Sequence, residues 1–183
     1  AEYHCTIISF AESAAQKGVL WAGTDDGNLQ LSRDDGRTWT NVVANLPGVA
    51  PFSPVSHVEP SRTDPGTAWL AFDRHMFDDP APHVFRTSDY GKTWTRVSAG
   101  LPPQGFVWVV RQDARNPCLL WAGTELWLYA SHDEGRSWRR AHLKNFPTVA
   151  VHDILLHPRD NDLILGTHGR ALWIFDDATP LQQ

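Results

Sequence analysis

Five residues that bind cations or move protons fall within eleven positions: Asp73, His75, Asp78, Asp79 and His83, in Asp73-Arg-His-Met-Phe-Asp-Asp-Pro-Ala-Pro-His83. Carboxylate oxygens suit calcium, and imidazoles suit zinc or manganese. The spacing matches no ligand pattern such as H-E-x-x-H, and a solvated acidic loop is the alternative reading. A second candidate is Gly166-Thr-His-Gly-Arg170, where His168 suits a general base near neutral pH and Arg170 suits a carboxylate or an oxyanion. Arg170 would serve equally well as the partner of a neighbouring aspartate. His152 and Asp153 are further candidates for proton transfer, with a structural role for His152 as the alternative. Glycoside hydrolysis would need two carboxylates drawn from Asp25, Asp26, Asp73, Asp78, Asp79, Glu125 and Asp153. Asp25, Asp26 and Glu125 are also candidate ligand contacts, and Trp108 and Trp127 are either platforms for a sugar ring or packing residues.

The elements that must position these residues are announced by a repeat. Ser32-Arg-Asp-Asp-Gly-Arg-Thr-Trp39, Thr87-Ser-Asp-Tyr-Gly-Lys-Thr-Trp94 and Ser131-His-Asp-Glu-Gly-Arg-Ser-Trp138 share the pattern [S/T]-x-D-x-G-x-[S/T]-W. Leu20-Trp-Ala-Gly-Thr24, Ala68-Trp-Leu-Ala-Phe72, Leu120-Trp-Ala-Gly-Thr124 and Leu163-Ile-Leu-Gly-Thr167 recur in step with them. Each of these short bulky runs, bounded by turn residues, predicts a strand. An apolar strand precedes each one (Thr6 to Glu12, Val55 to Glu59, Val107 to Asp113, Val151 to His157), and an alternating strand follows. The boxes then lead into a fourth strand at Trp39 to Val43, Trp94 to Val97 and Trp138 to Ala141.

Four antiparallel strands per repeat predict an all-β fold, a β-propeller with three full blades and most of a fourth. The blades fall at about 1–47, 48–101, 102–146 and 147–183 of a single domain. Either the chain closes as a four-bladed ring, with residues before Thr6 supplying the missing outer strand, or it is a fragment of a larger propeller. An open arc exposes strand edges and favours a homo-oligomer. In a propeller the loops between second and third strands gather on one face, which brings the candidate residues together there.

The boxes have a structural reading. Asp34, Asp89 and Asp133 accept hydrogen bonds from turn amides and a hydroxyl, Gly36, Gly91 and Gly135 take positive φ, and Trp39, Trp94 and Trp138 pack between blades. They are similar to Asp-box, or bacterial neuraminidase, repeats. In the sialidases, xyloglucan-active glycoside hydrolases and sortilin-type propellers that share it, the motif lies at the blade periphery and implies architecture alone. Gly23-Thr-Asp-Asp-Gly27, His157-Pro-Arg-Asp-Asn-Asp162, Gly166-Thr-His-Gly-Arg170, Trp173-Ile-Phe-Asp-Asp177 and Pro180-Leu-Gln-Gln183 resemble the C-terminal part of the propeller in bacterial sortilin-like or glycosyl hydrolase-like proteins. That resemblance implies a secreted or periplasmic protein. No signal peptide is recognised, and the opening Ala-Glu-Tyr without methionine fits a trimmed or excised product. A sialidase would need three arginines and a tyrosine nucleophile near a glutamate, which Tyr3, Tyr90 and Tyr129 are poorly placed to supply.

Composition narrows the partners. With 183 residues, 42% of them apolar, the chain can bury a sizeable core. A net charge of −5 without a basic run argues against nucleic acid, and no run approaches the length of a membrane span. Cys5 and Cys118 are too few for a disulfide framework and read as small buried residues. The expected function is a binding or scaffold propeller whose Asp, His and Trp loops hold a small molecule, glycan or peptide. The alternative is a hydrolase, using either paired carboxylates or a calcium-assisted attack on an ester or lactone.

Overall fold

The structure, a computed structural model, describes residues 4–183. Fifteen strands form four antiparallel sheets, each following chain order from the inner strand outward. The first sheet comprises β1 (Ile7–Glu12), β2 (Leu20–Thr24), β3 (Leu29–Ser32) and β4 (Thr40–Asn41). The second comprises β5 (His57–Pro60), β6 (Ala68–Phe72), β7 (His83–Thr87) and β8 (Thr95–Arg96). The third comprises β9 (Val107–Gln112), β10 (Leu120–Thr124), β11 (Leu128–Ser131) and β12 (Arg139–Arg140), and the fourth β13 (Val151–Leu156), β14 (Leu163–Thr167) and β15 (Leu172–Phe175). The inner strands pack side by side in the order β1, β5, β9, β13. This is the predicted β-propeller arrangement. The outer strand that residues before Thr6 would add to the last sheet in a closed four-bladed ring is not seen among the described residues, and residues 1–3 lie outside them.

The second strands β6 and β10 bury both faces because each is sandwiched between two blades, which explains their continuous apolar character. Fourth strands are only two residues long, shorter than expected. One further backbone bond extends each, from Val42 to Leu29, Val97 to Val84 and Ala141 to Leu128. Short outer strands bearing polar or charged residues protect the edge against pairing with other chains.

Apolar side chains form three clusters, one at each junction between successive blades. Trp94 of the second blade packs edge to face on Trp21 of the first, with ring centroids 6.2 Å apart. Trp138 of the third blade donates from Nε1 to the Val97 carbonyl of the second at 2.7 Å. Trp39, expected between blades, is partly exposed because no described blade precedes its own. Cys5 and Cys118 are also exposed and unpaired, contrary to expectation, since both lie in turns outside the sheets.

The box turns are built alike. Asp34 accepts from the Thr38 amide at 2.8 Å and the Thr38 hydroxyl at 2.6 Å. Asp89 accepts from the same groups of Thr93, and Asp133 from those of Ser137. These bonds, led by the Thr38 hydroxyl, hold the Asp34 carboxyl down to about 2. At Asp133 burial pushes upward, but the Ser137 and Ser131 hydroxyls outweigh it, again to about 2. Gly36, Gly91 and Gly135 sit at φ of 80°, 74° and 91°, each after another left-handed residue, so the turn needs at least one residue without a Cβ. Asp89→Ala is expected to cost about 1 to 3 kcal/mol, measured by urea denaturation, because it leaves the turn donors without an acceptor.

After β15 no box follows, and a different clasp takes its place. A 3-10 turn, Thr179–Leu181, carries Gln182 back onto the third blade. The Gln182 amide donates to both Asp113 oxygens and to Asn161 Oδ1, each at 3.0 Å. Asp113 in turn accepts from Trp121 Nε1 at 3.2 Å, so this segment anchors the last blade to its neighbour.

Candidate functional site

The long β6–β7 loop supplies the first part of the site. The Asp73 amide donates to the Pro54 carbonyl, and Asp73 Oδ1 faces the His75 amide at 3.0 Å and His75 Nδ1 at 2.6 Å. This fixes the His75 ring, which stacks on Phe106 at 4.5 Å with an interplanar angle of 16°. Phe106 and Trp108, at the entrance of β9, meet edge to face at 5.1 Å. Trp108 Nε1 donates to Glu125 Oε2 at 3.1 Å, orienting the indole. On its other side Trp108 lies 4.1 Å from His152 of β13, which stacks on His168 at 5.1 Å.

Five rings from three blades thus make one continuous surface. Asp73 and Glu125 act as struts for it. Phe106 is buried, Trp108 and His75 are half-buried, and His152 and His168 are exposed, so the buried end anchors the rings and the other end is open. Burial, then the neighbouring His168, lowers the His152 pKa, while Glu125 and Asp73 pull the other way. A neutral His152 presents a ring face and a hydrogen-bonding nitrogen. Next along the same turn, Met76 and Phe77 line an apolar cleft of about 810 Å³ with Ile8, Phe52 and Pro54.

Other candidates lie elsewhere. The expected metal quartet divides: Asp73 and His75 join the ring surface, Asp78 is exposed, and Asp79 turns to Arg74 at 3.1 Å and His83 at 2.8 Å. Among the described residues no three His, Cys, Asp or Glu side chains gather as a metal site, so the four candidate ligands do not converge. Asp25 accepts from the His4 and Thr6 amides, and Asp26 accepts from the Thr24 hydroxyl and from Asn28 Nδ2, which makes both turn residues. Trp127 donates to Thr148 and carries the Arg140 guanidinium 4.1 Å above its ring. Arg170 is exposed, and its carbonyl accepts from Trp173 Nε1. Asp153 turns away from His152 to Arg111, at 3.2 Å.

That last contact belongs to a network that motif reading missed. Arg111 donates to Glu59 Oε2 at 3.0 Å, to the Ile154 carbonyl and to Asp153, linking β5, β9 and β13. Burial pushes the Glu59 carboxyl up, opposed by Arg111 and the Gln112 amide. Burial and the Arg111 charge drive the nearby His57 down to about 3, so this histidine is neutral at physiological pH. One sequence signal was available: Glu59 and Arg111 oppose Trp69 and Trp121 at equivalent positions of the inner strands, where Ala11 and Leu155 stand in the other blades.

Residues 82–179, more than half of the chain, match the profile of the Sortilin-Vps10 family, described as sortilin, neurotensin receptor 3. The chain belongs to the Sortilin-Vps10 family. No curated protein matches this Sortilin-Vps10 chain in sequence. Among solved structures it is similar to a GH74 enzyme from Niastella koreensis, with a TM-score of 0.68 and 17% identity over 96% of this chain and 24% of that one. It is also similar to the GH74 xyloglucanase from Xanthomonas campestris, with a TM-score of 0.66 and 20% identity over 93% of this chain and 29% of that one. YCF48 bound to D1 peptide gives a TM-score of 0.67 and 16% identity over 93% of this chain and 51% of that one. These likenesses concern the fold. The Sortilin-Vps10 chain spans from about a quarter to about half of the length of these structures.

Proposed function

We propose that the chain is a binding module that holds a peptide or glycan against its loop face. The observation that carries this reading is the ring surface from Phe106 through His75, Trp108 and His152 to His168. Stacked rings with their N–H groups tethered by carboxylates suit recognition of a sugar ring or a planar side chain, because they offer broad contact at little entropic cost. The neighbours support it: a xyloglucanase and a peptide-bound protein share this architecture. Tryptophan emission, compared between the wild type and Trp108→Phe because the chain has nine tryptophans, supplies the test. Titration with xyloglucan oligosaccharides and with short peptides is expected to change emission for one of the two classes. Trp108→Ala should weaken that binding at least about tenfold, as removal of a stacking anchor does, while leaving the fold intact. Failure of both classes to bind would reject the proposal.

A hydrolase is the second reading, favoured by the 2.6 Å Asp73–His75 contact, because a carboxylate-oriented imidazole is the arrangement of a general base. It requires turnover of a glycoside or ester that His75→Ala removes and a chelator does not.

A further inference from the structure

The three box turns lead into outer strands that differ in charge. Residues 36–45 of the first blade carry one cation, Arg37, and residues 91–100 of the second carry Lys92 and Arg96. Residues 135–144 of the third carry Arg136, Arg139, Arg140 and Lys144, and none of the three stretches contains an acid. All four cations of the third blade are exposed, and none forms an ion pair among the described residues. The acids just before them are taken: Asp133 accepts from the Ser131 and Ser137 hydroxyls, and Glu134 pairs with Arg86 of the second blade at 3.0 Å. Edge protection does not explain the excess, since Thr40–Asn41 and Thr95–Arg96 serve that end with one cation between them. In a chain of net charge −5, four like charges along one strand are left to repel each other.

The strand distributes its charges over both faces of the sheet. Arg140 stands opposite Tyr129 and lays its guanidinium 4.1 Å above the Trp127 ring. Arg139 stands opposite Ala130, on the other face, and borders a depression of about 330 Å³ with His132 and Ser137. β12 is the last strand of its sheet, so its outer edge has no partner strand among the described residues. We propose that this edge is a docking site for an acidic peptide, which adds to it as an extended fifth strand. An extended chain sends successive side chains to opposite faces, so two adjacent carboxylates reach Arg139 and Arg140 together while the backbone pairs with the open edge. Guanidinium forks match carboxylates in bidentate geometry. A sulfated polysaccharide brings charge without the backbone groups, and so uses only half of what the edge offers. Cations that turn away neutral and basic strands thereby admit one kind of chain. The site shares no residue with the ring surface and does not rest on what that surface binds.

Fluorescence anisotropy with a fluorescein-labelled peptide of alternating glutamate pairs and valines tests it. The peptide is expected to bind the wild-type chain and to bind more weakly as salt is raised. Arg139→Gln combined with Arg140→Gln should weaken binding at least about tenfold, whereas Lys92→Gln on the second blade should leave it unchanged. The same peptide with N-methylated amides keeps its charge and loses its donors, and its affinity should fall by a similar factor. Circular dichroism verifies folding, and Arg136→Gln combined with Lys144→Gln replaces the arginine pair if that variant does not fold. A peptide that fails to bind the wild type, or that binds the arginine variant equally well, overturns the proposal. Undiminished binding of the N-methylated peptide also overturns it, because charge alone would then recruit any polyanion, heparin among them.

Discussion

Arg111→Ala should destabilise the fold by about 3 kcal/mol, near the lower end of the range for breaking a buried ion pair because Arg111 is 27% exposed. The substitution strips Glu59, which is 5% exposed, of its main counter-charge and removes the donor to the Ile154 carbonyl. Burial already holds the Glu59 carboxyl above its ordinary value of 4.5, and loss of Arg111 drives it higher. A carboxyl whose folded-state pKa exceeds its unfolded value stabilises the fold below the unfolded value and loses that contribution as pH rises through the folded one. The deficit of Arg111→Ala relative to wild type is therefore smallest below that ordinary value of 4.5 and grows toward neutrality. Urea unfolding at several pH values checks both the size and the slope. A deficit that does not change with pH would show that Glu59 is not the group left uncompensated.

Gly100→Ala is expected to cost a similar amount, about 3 kcal/mol, by adding backbone strain to lost hydrogen bonds. Gly100 has φ of +92°, and a Cβ there would sit 2.3 Å from the Trp138 carbonyl oxygen. The clash is with backbone, so no side chain can swing aside to relieve it. To make room, the Ser98–Leu101 turn of the second blade must lift from the third. Lifting breaks the bond from the Trp138 amide to the Ala99 carbonyl and strains the one from Trp138 Nε1 to Val97. Thermal and urea unfolding measure the loss, and a cost under about 1 kcal/mol would mean that the turn adapts without releasing the tryptophan.

The propeller was legible because its evidence is local. Box turns bond within five residues, as at Asp34 to Thr38, and second strands are short enough to read as bulky runs. Outer strands were overextended because an apolar residue after the tryptophan, such as Val42 or Val97, serves the core and adds a single ladder bond before the pairing ends. The site was only partly legible. Asp73, His75, Trp108, Glu125, His152 and His168 had each been singled out, but as members of separate metal, catalytic and ligand groups. Only the folded arrangement joins them in one ring surface. Phe106 was missed because nothing local distinguishes a ring that supports a histidine 31 positions earlier from any core phenylalanine. The acidic loop misled in the other direction: Arg74 of the loop and His83 at the start of β7 occupy Asp79 and so engage one of the candidate carboxylates.

The tryptophan that ends each later box is written in one repeat and buried in the one before it. A length of chain running from one such tryptophan to the next accordingly carries two half-interfaces that fit each other. Copying or deleting that whole length leaves every surviving interface with both of its halves, whereas a break inside it orphans two. The architecture can change its blade number by duplication or loss without inventing a new contact, and recombination by whole repeats is the route this packing leaves open.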